Sequence, residues 1–124
     1  MEATAFIERG TIICEYAGEV SRHRDTLMKV NNDSIFTLLV TGSSTNDLNI
    51  TPSRFGNMSR FISGVNNVKK EHLKIVNVKA IRFSFCGRVR IMFIAKRNIH
   101  KGDILYLNYN GGTYEEYPTE DFVK

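Results

Sequence analysis

Hydrophobic and polar residues alternate over short spans of this chain, and turn residues separate the spans. Residues 11–20 place Ile12, Cys14 and Tyr16 on one face and predict a strand followed by a turn containing Gly18. Residues 35–40 predict a second strand closed by Thr41-Gly42-Ser43-Ser44, and residues 48–50 a very short third one stopped by Pro52. Residues 77–85 and 89–95 alternate on either side of Cys86-Gly87-Arg88, which is a tight hairpin signal. A last strand, within 102–110, opens on Gly102-Asp103 and stops at Asn110-Gly111-Gly112. Met58, Phe61 and Ile62 have helical spacing and predict a turn or two of helix ended by Gly64. Residues 21–34 and 65–76 are polar and predict loops, the first with room for a short helix. Six or seven short strands with almost no helix make a β-rich domain of small sheets.

Alternation in the last strand sorts Ile104, Tyr106 and Asn108 onto one face and Leu105, Leu107 and Tyr109 onto the other. Tyr109 is the last side chain of its face. A phenol at the end of a strand can be fixed by packing while its hydroxyl faces a cavity. An ordinary core tyrosine has the same pattern, and this stretch alone does not separate the two.

Composition narrows the class. With 124 residues and 42% hydrophobic content, the chain suits one compact domain with a core and not a disordered segment. No apolar run approaches membrane-spanning length, and residues 1–10 lack the basic and apolar regions of a signal peptide. The Asn-x-Ser/Thr triplets at Asn32, Asn49 and Asn57 therefore read as chance matches. Cys14 and Cys86 each lie in an apolar run and read as lone buried thiols. There is no CxxC pair and His23, His72 and His100 are scattered, so no metal site is expected.

The net charge is +4, which suits a nuclear or nucleic-acid-associated protein without demonstrating one. Cations group at Lys69-Lys70, at Lys79 and Arg82, at Arg88 and Arg90, and at Lys96-Arg97. Near the end, Glu115, Glu116, Glu120 and Asp121 interleave with Tyr114, Tyr117 and Phe122. Such an acidic, aromatic segment can receive a basic peptide, and it can equally be a solvated end that balances charge.

Three motifs become informative together: Glu15-Tyr16-Ala17-Gly18-Glu19, then Gly56-Asn57-Met58-Ser59-Arg60-Phe61-Ile62, then 102–109 as Gly-Asp-Ile-Leu-Tyr-Leu-Asn-Tyr. In this order and spacing they resemble the SET domain of protein-lysine methyltransferases, over essentially the whole chain. Further runs look like the trithorax-related plant enzymes that monomethylate histone H3 at lysine-27. These are Asp33-Ser34, Thr37-Leu38-Leu39, the run 60–67, Ile94-Ala95-Lys96-Arg97-Asn98-Ile99 with Lys101-Gly102, and Glu116-Tyr117-Pro118 through Val123. Those enzymes carry a Ser-Gly-x-Asn-Asn version where most SET domains read Asn-His-Ser-Cys, and they lack the zinc-binding cysteine cluster; this chain is similar in both respects.

The resemblance implies a mainly β SET domain over 1–124, with small β-clip-like sheets, little helix and a C-terminal pseudoknot. In that topology the last strand threads a preceding loop and brings 60–64 beside Tyr109. It implies methyl transfer from S-adenosyl-L-methionine to a histone tail lysine, most closely histone H3 lysine-27. It implies a histone H3 tail or nucleosome as partner, a nuclear location, no metal and no membrane; direct DNA contact is left open, without support at this level. Carried over residue by residue, Tyr109 takes the place of the catalytic tyrosine beside the reacting methyl. Tyr16 takes that of the catalytic tyrosine walling the lysine channel. Arg60, Phe61, Ile62, Ser63 and Gly64, with Asn77, take cofactor-binding places. Leu107 and Tyr106 join Tyr16 at the substrate lysine.

This chemistry matches physical need. In-line methyl transfer requires an aligned, dry, deprotonated amine, and no metal or covalent enzyme intermediate. Oxygens around the channel stabilise the sulfonium and its methyl, aromatic walls orient the lysine, and desolvation lowers the amine pKa.

Departures from the family pattern carry their own expectations. The Gly-x-Gly strand that normally opens a SET domain is missing, so the chain is expected to be a fragment or to hold an incomplete cofactor site. Position 107, usually Phe or Tyr, is Leu107, which predicts a relaxed monomethyl restriction. Asn108 replaces the usual acid and Gly111-Gly112 adds a glycine, with local effects on turn packing only. The alternative is a catalytically impaired SET-like module that binds a basic histone tail, separable by cofactor binding. A small nucleic-acid-binding β domain is a third reading, disfavoured because aromatics do not form a stacking platform with the basic clusters.

Overall fold

A computed structural model describes residues 1–22, 36–39, 46–66 and 69–109. The expectations for 23–35, for 41–44 and for 110–124, including the acidic aromatic segment, lie outside the described residues. The described chain is mainly β. In order it has β1 (Ile12–Glu15), β2 (Gly18–Arg22), β3 (Phe36–Leu39), β4 (Leu48–Gly56), a 3-10 turn (Met58–Phe61) and β5 (Ser63–Gly64). A 3-10 helix (Lys70–Ile75), β6 (Val78–Phe85), β7 (Arg88–Ala95) and β8 (Tyr106–Leu107) follow. One sheet has five strands in the order β1-β7-β6-β8-β5, and another has three in the order β2-β4-β3. Backbone contacts divide the chain into two units.

The first unit comprises Met1–Ile13, Phe61–Ala80 and Phe93–Lys124. Its N-terminal residues run antiparallel to 99–104 through the Ile7↔Ile99 and Glu2↔Ile104 bridges. Between these bridges lies a turn with Lys101 and Gly102, where Gly102 takes φ 92°, a left-handed conformation that glycine adopts without strain. The Asp103 carboxylate closes this turn by accepting from the His100 backbone N–H at 2.9 Å. Ile62, Val65, Val78, Phe93, Ala95, Ile99, Leu105 and Leu107 are buried and form the apolar core of this unit. Each of these burials except that of Ala95, which has a single methyl, contributes on the order of 1.5–3 kcal/mol.

The second unit comprises Cys14–Arg60 and Ile81–Met92. Its β2-β4-β3 sheet departs from the sequence expectation twice. Gly18 begins a strand and not a turn: a Cβ there would lie 2.6 Å from the Thr51 carbonyl, so only glycine admits this approach. Pro52 does not stop β4, which runs from Leu48 to Gly56. The register jumps between Gly18↔Gly56 and Glu19↔Thr51, and among the described residues β3 pairs no further along β4 than Ile50. Pro52 therefore sits in a bulge where, among the described residues, no ladder partner requires its missing N–H. The β6–β7 hairpin forms as expected, with Cys86 and Gly87 at φ 50° and 72°, a type I′ turn.

The cysteine expectation is corrected as well: Cys86 is exposed at this turn, and Cys14 is only half-buried. The helical spacing at 58–62 yields a single 3-10 turn, after which Gly64 continues as strand β5. Met58 and Phe61 are exposed and Ile62 buried, so the three share no face. Residues 70–75, expected as loop, are 3-10 helix.

Candidate active site

Within the first unit the site grows around β8. This strand of two residues is inserted between β5 and β6 and runs parallel to both, through Ser63↔Tyr106, Gly64↔Leu107 and Val78↔Leu107. So short a strand cannot hold itself. The Ser63 N–H donates to the Leu105 carbonyl at 3.3 Å, and Leu105 and Leu107 are both 2% exposed. The opposite face is more open, with Ile104 exposed and Tyr106 and Asn108 half-buried; alternation separates the two faces, and the packing decides which is inside.

Asn77 completes the clamp. Its side-chain amide donates to the Ile104 carbonyl at 2.8 Å and accepts from the Tyr106 N–H at 2.8 Å. Its backbone N–H donates to the Tyr106 carbonyl at 3.2 Å, and its carbonyl accepts from the Lys96 N–H at 2.8 Å. Asn77 is 5% exposed, so its carboxamide replaces solvent for two peptide groups that approach no strand partner there. The side chain does the work of a further piece of strand.

Tyr109 follows at the C-terminal end of β8. It is half-buried, and its hydroxyl donates to the Ile62 carbonyl at 3.0 Å. A phenol has one proton. With that proton on the Ile62 carbonyl, any other partner of the oxygen must be a donor or an electron-poor centre. The bond also ties Tyr109 to the segment 61–64, as the expected topology requires.

The second unit holds Tyr16 and Arg60. Tyr16 is 1% exposed and lies just after β1, with its N–H on the Ile91 carbonyl at 2.8 Å. The flanking Glu15 is held at both ends. Its carboxylate accepts from Arg90 at 3.0 and 3.1 Å, and its backbone carbonyl accepts from the Asn57 side-chain amide at 2.9 Å. The Asn57 side-chain oxygen in turn accepts from the Ser59 N–H at 2.9 Å. With Gly18 opposite Gly56, these contacts bind the first sequence motif to the second. Arg60 is exposed at the end of the 3-10 turn.

The sequence-predicted residues thus divide. Tyr109, Ile62, Ser63, Gly64, Leu107, Tyr106 and Asn77 are drawn together around β8. Phe61 belongs to the same unit, 67% exposed; Tyr16 and Arg60 belong to the other. Two contributors were not assigned from sequence. Asn57 bridges two motifs, and its only signal is its place inside one of them. The Ile62 carbonyl is a backbone group that carries no side-chain signal. Among the described residues no cluster of His, Cys, Asp or Glu could hold a metal ion. Burial pushes the Cys14 thiol pKa up.

The SET domain family model matches residues 1–110, and the chain belongs to that family. Over 124 residues, 99% of this chain, it is 44% identical to a protein named histone-lysine N-methyltransferase ATXR6 of Arabidopsis thaliana, of which it covers 35%. It is 43% identical to histone-lysine N-methyltransferase ATXR5 of the same plant, of which it covers 32%. The chain therefore spans about a third of the length of the curated relatives it matches. A crystal structure of ATXR5 in complex with histone H3.1 mono-methylated on R26 superposes with a TM-score of 0.91 at 41% identity. That match covers 98% of this chain and 56% of the other.

Proposed function

We infer that this chain transfers a methyl group from S-adenosyl-L-methionine to a lysine of the histone H3 tail, lysine-27, in the nucleus. The observation that carries the reading is the Tyr109 hydroxyl held on the Ile62 carbonyl at 3.0 Å. Its oxygen is aimed and can only accept from a further partner, which is the property a reacting methyl or an ammonium needs beside it. Similarity over the whole chain to proteins named histone-lysine N-methyltransferases, and to a SET domain solved with histone H3, supports the substrate class.

The donor set fits a sulfonium group, because the residues around β8 offer carbonyl and hydroxyl oxygens to an electron-poor centre. When bound, S-adenosyl-L-methionine supplies the activated methyl. In this reading Tyr109 and Tyr16 are the catalytic pair, with Tyr16 walling the lysine channel. Arg60, Phe61, Ile62, Ser63 and Gly64 are the cofactor contacts. Asn77, whose amide is engaged by β8, serves the cofactor site by fixing that strand. Tyr106 and Leu107 meet the substrate lysine, and the buried leucine leaves room for more than one methyl group.

The test is methylation of histone octamers and nucleosomes by the chain, read by mass spectrometry, beside Tyr109→Phe. The expected product is histone H3 methylated at lysine-27, including dimethyl-lysine. Tyr109→Phe should lower kcat by roughly 10²–10³, the scale of losing one preorganised polar group, with little change in KM. Exclusive monomethylation at exhaustive turnover would refute the role given to Leu107. Binding of the H3 tail with no methyl transfer at all would identify a non-catalytic module instead.

A further inference from the structure

The side chains of the basic residues near the Lys70–Ile75 helix have no part in the site above, where only the Lys96 backbone N–H is used, yet the fold gathers them. The Arg97 guanidinium donates to the Lys74 carbonyl at 2.9 Å and to the Ile75 carbonyl at 2.7 Å. The Lys96 N–H donates to the Asn77 carbonyl at 2.8 Å, just past the same helix end. These three bonds seat the Lys96-Arg97 bend against the C-terminal end of the helix, so the backbone positions that carry Lys74, Lys96 and Arg97 lie side by side there. Lys69 and Lys70 stand at its other end. All five are exposed, and the one acid in the segment 69–80 is Glu71.

We propose that this ridge binds the phosphate backbone of double-stranded DNA. A 3-10 helix of six residues is about 12 Å long at roughly 2 Å per residue. Duplex DNA presents phosphates about 3.4 Å apart per strand along its axis, so the ridge spans roughly three of them. Like charges held this close repel one another until an anion joins them. Because Arg97 ties the two backbone segments together, an arriving polyanion has to order only the lysine side chains and not the chain that carries them. The choice of duplex DNA as the polyanion rests on the histone reading, since a nucleosomal tail lies beside wrapped duplex. The ridge itself does not depend on that reading.

The experiment measures fluorescence anisotropy of the chain with a labelled random-sequence duplex across a salt series. It compares the chain with the triple variant Lys70→Ala, Lys74→Ala, Lys96→Ala. Substitution of exposed lysines of this kind leaves stability nearly unchanged, and matched melting curves check that both proteins are folded. The slope of log K against log salt should fall in magnitude by roughly 3 in the variant. The corresponding Lys→Arg triple should keep both slope and affinity. On methylation, the alanine triple should raise KM for nucleosomes roughly tenfold or more while turnover of a free histone H3 peptide stays unchanged. Equal duplex binding by chain and alanine variant would overturn the proposal, as would binding to single-stranded RNA but not to duplex. Failure of methyl transfer to the free peptide would count against the proposed activity and leave the DNA comparison readable.

Discussion

Replacing Asn77 with alanine tests the clamp on β8 most directly. The substitution deletes two bonds of 2.8 Å and leaves the Ile104 carbonyl and the Tyr106 N–H beside a hole the carboxamide had filled. Each lost bond is worth about 1 kcal/mol net, and an unsatisfied buried peptide group costs about 1–3 kcal/mol. Allowing for overlap between these terms and some water entry, the loss should be about 3 kcal/mol. That is a large part of the roughly 5–15 kcal/mol that holds a domain together, and it should lower Tm by roughly 10 °C. The assay is urea unfolding followed by circular dichroism, with a thermal melt beside it. Asn77→Asp sharpens the result. Its carboxylate can accept from the Tyr106 N–H but turns a second oxygen toward the Ile104 carbonyl, where a donor is needed. The protonated acid can donate there, so its folded-state pKa lies above the unfolded one. The aspartate variant should then be most stable below the unfolded carboxyl pKa and lose stability as pH rises through the folded one. An alanine variant that melts within about 2 °C of the parent would refute the clamp.

Other predictions test the packing and the thiols. Gly18→Ala puts a Cβ 2.6 Å from the Thr51 carbonyl and 2.9 Å from the Pro52 nitrogen, all backbone; it should cost about 3 kcal/mol or prevent folding, as read by soluble yield and urea midpoint. Cys86, exposed at its turn, should react with iodoacetamide well before Cys14, whose thiol pKa burial raises. The gap should narrow as pH rises through the thiol range, because reactivity follows the thiolate, and peptide mapping at two pH values reads it.

Some of this architecture was legible in the residues. Alternation separated Leu105 and Leu107 from Ile104, because a strand writes its two faces into the chain, but both faces carry apolar residues and only the packing shows that the leucine face is the buried one. Cys86-Gly87 marked the hairpin, because a type I′ turn demands left-handed backbone at both positions. Other features depend on partners distant in sequence. Pro52 reads locally as a strand stop, and only the bulge opposite Gly18 and Glu19 removes the demand for its N–H. Strand β5 has two residues, too few for any pattern, and exists because Tyr106 and Leu107 come to lie beside it. The spacing of Met58, Phe61 and Ile62 imitated an amphipathic helix, although the turn buries Ser59 and turns Met58 and Phe61 outward. In the site, the motif residues were visible as letters. The acceptor for Tyr109 is a peptide carbonyl, which has no letter, and the fourfold engagement of Asn77 could be seen only once β8 was in place.

The insertion of β8 between two earlier strands has a kinetic corollary. Both of its neighbours, and Asn77, precede it by about thirty residues or more, so every bond it makes is non-local and is slow to close. The site around Tyr109 is therefore assembled late. A chain that has laid down its hairpin and its smaller sheet still has no site, and partial unfolding that releases β8 abolishes it at once. Under the proposed activity, methyl transfer should reappear during refolding later than bulk β-structure, which would make turnover a stricter gauge of complete folding than circular dichroism.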